Sequence, residues 1–222
     1  MSLLTDIEED AFKELFNLSF GKVASTLSEM VDSEVALKVP FFCTLHGQSV
    51  SAYVQSLYGM AISLVGMRFR FVFPPDNAIA GMAVLILRGT KIGHFLDAWY
   101  GGHVPEETLA YVEEEAMPLA GDVLLYTCTS SLSALFGSDV DCEKPQFFKG
   151  TTEDLPGFLA LPDLPGFSPS EPQAEEDRLL LLRVDFSLVG KDVDGSLLTW
   201  MGGYGLPRLR SEIDHFIATH MV

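Results

Sequence analysis

Apolar residues recur at helical spacing from the start of the chain: Ala11, Phe12, Leu15, Phe16, Leu18 and Phe20, then Val23, Leu27 and Met30. This wide stripe predicts one long or slightly broken helix over about 6–31. Thr5 and Glu8 fit a capping box at its start, and Asp6, Glu8, Glu9 and Asp10 lie near the positive end of the helix dipole. Residues 33–56 carry period-2 stretches that predict strands, and Pro40 restricts its strand to an edge, a first residue or a bulge. Residues 67–73 alternate cleanly, 83–89 read as a buried strand, and 91–102 read as a helix stopped by glycine. A second long helical pattern begins near Pro105 and runs to about Gly137, where Pro118 and Gly121 predict a kink or two helices. Strand-like residues 138–148 follow, then a strand pair within 178–203 with a turn containing Asp194 and Gly195, and an amphipathic helix over 207–221.

Shifted by 105 residues, the chain meets itself. Ser25, Leu27, Ser28, Ser33, Val35, Pro40 and Phe42 match Ser130, Leu132, Ser133, Ser138, Val140, Pro145 and Phe147. So long a period is no solenoid unit. It predicts one domain over 1–222 made of two repeats, about 5–102 and 106–220. The expected fold class is α+β: two pseudo-symmetric α-then-β halves share a central, mostly antiparallel sheet packed with long helices. Residues 151–177, rich in proline and acids and carrying "LPGF" at 155–158 and again at 164–167, read as a loop or partly ordered insertion.

Composition narrows the function classes. A formal net charge of −17 makes nucleic acid and anionic membranes poor partners. The apolar runs 59–67 and 80–87 are far shorter than the roughly 20 residues of a spanning helix, and no signal peptide is expected at the start. Cys43, Cys128 and Cys142 are odd in number and widely spaced, which suits buried thiols in a reducing, cytoplasmic setting. The five histidines form no metal-binding pattern, so no metal of the chain's own is expected.

Asp10, Glu14 and Asn17, spaced four and three apart, fall on one helical face. Exposed acids on a helix are routine, and an interior Asn is mildly unfavourable, which makes Asn17 the least ordinary of the three. Under the 105-residue shift these positions meet Glu115, Leu119 and Asp122. The second half keeps the apolar framework and loses the polar trio. A purely solvated face would be an odd place to exchange Glu for Leu.

With Pro40, separated from Asn17 by twenty-two residues, these positions resemble the signature of the CheC/CheX/FliY family of response-regulator phosphatases. That signature is Asp or Ser, three residues, Glu, two residues, Asn, then twenty-two residues to Pro. Four fixed residues would coincide by chance in about one chain per thousand of this length. "ASTLS" at 24–28 resembles the family's "AATALS", and the duplication makes the chain most like CheC. The glycine-rich run that usually follows the Asn is reduced here to Gly21.

The resemblance implies a cytoplasmic chemotaxis or other two-component signalling protein. Its substrate would be the aspartyl phosphate of a CheY-like response regulator, whose own Mg²⁺ and Lys complete the site, so no other cofactor is implied. Asn17 would orient the attacking water, Glu14 would pair with the regulator Lys, and Asp10 would contact the partner or support the helix. Pro40 would be a fold marker. Glu115, Leu119 and Asp122 would form a degenerate second site. Two other readings stay open. One is a non-catalytic adaptor for a response regulator or a CheD-like deamidase. The other is a flagellar-switch component, for which the chain is expected to end too soon to hold a FliY-like C-terminal domain.

Overall fold

The computed structural model describes residues 5–38, 41–46, 49–73, 77–88, 91–155, 158, 178–202 and 205–220. In chain order these form α1 (Asp6–Val31), β1 (Val35–Leu37), β2 (Phe41–His46), α2 (Val50–Tyr58), β3 (Ala61–Phe73), β4 (Asn77–Arg88) and α3 (Ile92–Tyr100). There follow α4 (Glu106–Phe136), β5 (Asp139–Cys142), β6 (Gln146–Thr151), β7 (Arg178–Leu188), β8 (Asp194–Met201) and α5 (Gly205–His220). Pro40 and most of 151–177, including the second "LPGF", lie outside the described residues.

The strands make one eight-stranded antiparallel sheet, β1-β7-β8-β4-β3-β5, with β2 also on β7 and β6 also on β3. β4 and β8 pair at its centre, Ala83 opposite Thr199 and Leu85 opposite Leu197. The short strands are exchanged between halves. β1 and β2 of the first half pair with β7 of the second, while β5 and β6 of the second pair with β3 of the first. Two pseudo-symmetric halves therefore share the sheet, and each completes the other's edge. The strands flanking Pro40, β1 and β2, lie at that outer edge.

Both sheet faces are covered, which explains why β4 is apolar without interruption. Ala83, Leu85 and Leu87 meet the helical layer of α1, α3, α4 and α5, alongside Phe71, Leu182 and Phe186. Met82, Val84 and Ile86 face the other way, under Val50 and Val54 of α2 and under Leu155. Leu155 and Phe158 stand 105 residues after Val50 and Tyr53, and these two side chains pack in the same cluster as their α2 counterparts. Thr151 at the start of the expected insertion is a β6 residue opposite Ala61.

Three expectations are corrected. Residues 50–58 are helical, not strand: Val50 and Val54, one turn apart, are buried, and Gly59 at φ +81° ends the turn. The turn between β7 and β8 spans 189–193, with Gly190 at φ +75°, and Asp194 and Gly195 belong to β8. Of the two alternatives for α4, two helices is overturned: it is one continuous helix of 31 residues that runs through Pro118 and Gly121. Pro118 removes one donor, but Glu114, whose carbonyl it would have bonded, sits at the surface. Gly121 lets the helix close on the sheet: a Cβ there would stand 2.3 Å from Val65 Cγ1. α4 is also long and apolar enough to cross a membrane, yet 56% of its apolar window is buried inside the protein, as befits a core helix.

The pseudo-symmetry yields a stability prediction. α1 ends at Asp32 in the left-handed region, φ 44°, and α4 ends at the matching position with Gly137, φ 58°. An L-side chain is disfavoured there and glycine is not. Asp32→Gly is expected to raise stability by about 0.5–1 kcal/mol, measured by urea denaturation.

Candidate functional site on helix α1

The rotation of α1 is fixed by what it buries. Ala11, Phe12, Phe16, Phe20, Val23, Leu27 and Val31 all face the core. Phe16 stacks on Phe20 with centroids 3.9 Å apart, and Phe12 meets Phe42 of β2 edge-on at 4.9 Å. Thr5 caps the helix: its hydroxyl accepts from the Glu8 amide, and the Glu8 carboxylate accepts from the Thr5 amide at 2.6 Å. That backbone bond, then the Thr5 hydroxyl, holds the Glu8 carboxyl below its ordinary range. A lowered carboxylate contributes stability that is complete above the ordinary range and is lost as pH falls through the lowered value. The first turn of α1 is therefore expected to fray first in acid, read as faster amide exchange at Glu8 and Glu9.

With the core face pinned, Asp10, Glu14 and Asn17 must point outward, and all three are exposed. Four and three residues at 1.5 Å rise set them about 6 and 4.5 Å apart along the axis. Asp10 is already engaged: Lys13 Nζ lies 3.2 Å from it and 3.3 Å from Glu9. The bonds that Lys13 donates to Asp10 and then Glu9 raise its pKa. Among the described residues, Glu14 and Asn17 have no such partner. A carboxylate and a neutral amide, one turn apart on a rigid helix, are thus free to meet something outside the chain.

Glu115, Leu119 and Asp122 of α4 are likewise exposed, so the structure brings the matching positions to a matching face. There Leu119 stands 61% exposed. The two faces are equivalent in place and differ in chemistry: an acid is kept at Glu115, Leu119 stands for Glu14 and Asp122 for Asn17.

Sequence reasoning missed Glu113, 1% exposed beneath α4. Its carboxylate accepts from Ser63 Oγ of β3 at 3.1 Å and pairs with Lys149 of β6. The signal was present, since Glu113 shares the helical face of Ala116, Met117 and Ala120. The cysteines offer no nucleophile: burial pushes the Cys128 thiol up to about 12, and desolvation raises Cys43 and Cys142. Among the described residues, no three His, Cys, Asp or Glu side chains cluster as metal ligands.

No protein-family model matches the chain. It is similar to the flagellar motor switch phosphatase FliY of Bacillus subtilis (strain 168), with 21% identity over 198 residues, 88% of this chain and 46% of FliY. The chain thus spans about half the length of that relative. Among solved structures it is similar to FliY of Thermotoga maritima, with TM-score 0.64 and 18% identity over 97% of this chain and 100% of the other. CheX of Borrelia burgdorferi, solved in complex with CheY, BeF3 and Mg²⁺, gives TM-score 0.50 and 14% identity over 84% and 97% of the two chains. The FliM middle domain of Vibrio alginolyticus gives 0.54 and 14% over 90% and 98%. The resemblance first read from Asp10, Glu14 and Asn17 is matched by these likenesses in sequence and architecture: the chain is built on the fold of the CheC/CheX/FliY family.

Proposed function

We propose that the chain hydrolyses the aspartyl phosphate of a CheY-like response regulator, with the exposed face of α1 laid across the phosphate site. The observation that carries this reading is the pairing of Glu14 and Asn17, exposed and unengaged among the described residues, on a helix whose rotation is fixed by its phenylalanines. An acyl phosphate is already activated, and the regulator brings its own Mg²⁺ and Lys. What remains is an in-line water and charge compensation. The Asn17 carbonyl accepts a hydrogen bond from that water while its NH₂ donates to a neighbouring acceptor. Water oxygen bonds to phosphorus, the bond from phosphorus to the regulator's carboxylate oxygen breaks, and the proton leaves with inorganic phosphate. Glu14 pairs with the regulator Lys and so orients the docked helix. Asp10, held by Lys13, supports the face. The setting is cytoplasmic signalling.

The names of the relatives, FliY as a phosphatase and CheX in complex with CheY, support the substrate class. The likeness extends to the FliM middle domain, and likenesses at this identity speak for the fold, so the reading rests on side chains. The α1 face is therefore the discriminating feature. A non-catalytic adaptor, for the regulator or for a CheD-like deamidase, is the second reading, favoured by the loss of the polar trio on α4.

Glu14 separates the two parts of the proposal. Glu14→Ala is expected to raise KM for the phosphorylated receiver about tenfold with a smaller change in kcat, since the lost ion pair belongs to docking. The check is the loss of receiver phosphate at varied receiver concentration. An unchanged KM would remove Glu14 from the interface.

A further inference from the structure

The degenerate face of α4 carries more than a lost site. Tyr111, Leu119, Val123 and Tyr126 are 69, 61, 45 and 55% exposed. Their spacing puts them on one stripe of the helix, about 22 Å long. The matching positions of α1 are Asp6, Glu14, Leu18 and Gly21, so large apolar groups have replaced two acids and a glycine. Exposed apolar side chains scattered singly need no explanation, but four on one helical stripe, two of them tyrosine, have the make-up of a protein contact. Glu115 and Asp122 share the stripe, and among the described residues neither has an ion-pair or hydrogen-bond partner.

Charge decides the occupant. A second copy docked through this stripe would set Glu115 and Asp122 against their own kind, on chains that each carry a formal charge of −17. A partner with apolar anchors edged by Lys and Arg would bury the stripe and pair both acids. We propose that this face of α4 docks a basic amphipathic helix of another protein, independently of the chemistry on α1. The half that lost Glu and Asn at 119 and 122 would hold a partner while the other half acts.

The test uses the full chain and a synthetic amphipathic helix of about five turns, leucine on one face and Lys and Arg along both edges. A second peptide keeps the leucines and carries Glu along the edges. Fluorescence anisotropy is expected to show binding of the basic peptide alone. Leu119→Ser with Tyr126→Ser, which leaves the charge unchanged, is expected to weaken it about tenfold or more. Glu115→Lys with Asp122→Lys is expected to shift preference to the acidic peptide. Asn17→Ala is expected to bind as wild type does, so failure here and failure of the phosphatase reading are distinguishable. The proposal is overturned if neither peptide binds, if both bind alike, or if the serine variant binds the basic peptide as tightly as wild type. It is also overturned if sedimentation shows a wild-type dimer that the serine substitutions dissolve.

Discussion

Asn17→Ala is expected to lower the rate of receiver dephosphorylation by about 100-fold or more, leaving the fold intact. The magnitude follows from the role: a single positioned group acting on the transition state is worth about 10²–10³ in rate, or about 3 kcal/mol. The fold is spared because Asn17 is exposed, engages no described residue, and is a poorer helix former than alanine. Melting temperature should therefore hold or rise slightly while activity disappears. Asn17→Asp is the sharper control. It keeps the shape and adds a negative charge facing the phosphoryl oxygens, as Asp122 would on α4. It should be as inactive as alanine. A variant that lost activity together with its cooperative melt would report unfolding, and circular dichroism separates the two outcomes.

Lys149→Ala is expected to be the most destabilising of these substitutions, by about 2–4 kcal/mol. Glu113 is 1% exposed, and Lys149, itself 57% exposed at the side chain, reaches inward to pair with it. The lysine costs little to bury because most of it is not buried. Its loss, however, strands a carboxylate under α4 with Ser63 as its remaining described partner. For a chain of this size the melting temperature should fall by roughly 5–10 °C. Adding Glu113→Gln to Lys149→Ala should recover part of the loss, since a neutral amide can still bond Ser63 without a counter-ion. Calorimetry of the single and double variants checks this. Equal melting of Lys149→Ala and wild type would show that the Lys149 ion pair adds nothing to stability and that the Glu113 carboxylate is solvated without it.

What the sequence disclosed was local. The limits of α1, its Thr5–Glu8 cap and its outward trio rest on neighbouring residues, and the α1 face follows once the phenylalanines are assigned to the core. The errors occurred where tertiary contacts decide. Residues 50–58 follow directly on an alternating strand, and only Val50 and Val54 mark the buried face of α2. Pro118 and Gly121 carry real helical penalties, but packing of α4 on Val65 outweighs them, and Gly121 is what allows that packing. The exchange of β1 and β2 for β5 and β6 between halves leaves no local trace, because either pairing would satisfy the same alternation. Glu113 was hidden in a run of three acids, two of them exposed, though helical phase separates it from Glu114 and Glu115.

The central claim is that the α1 face removes phosphate from a receiver. Its most direct test is the first-order lifetime of the aspartyl phosphate on a CheY-like receiver, with and without saturating amounts of this chain. The account predicts a lifetime shortened many-fold by wild type and returned to the receiver's own value by Asn17→Ala, although that variant still binds. A receiver that is bound by wild type and keeps its phosphate as long as it does alone would contradict it.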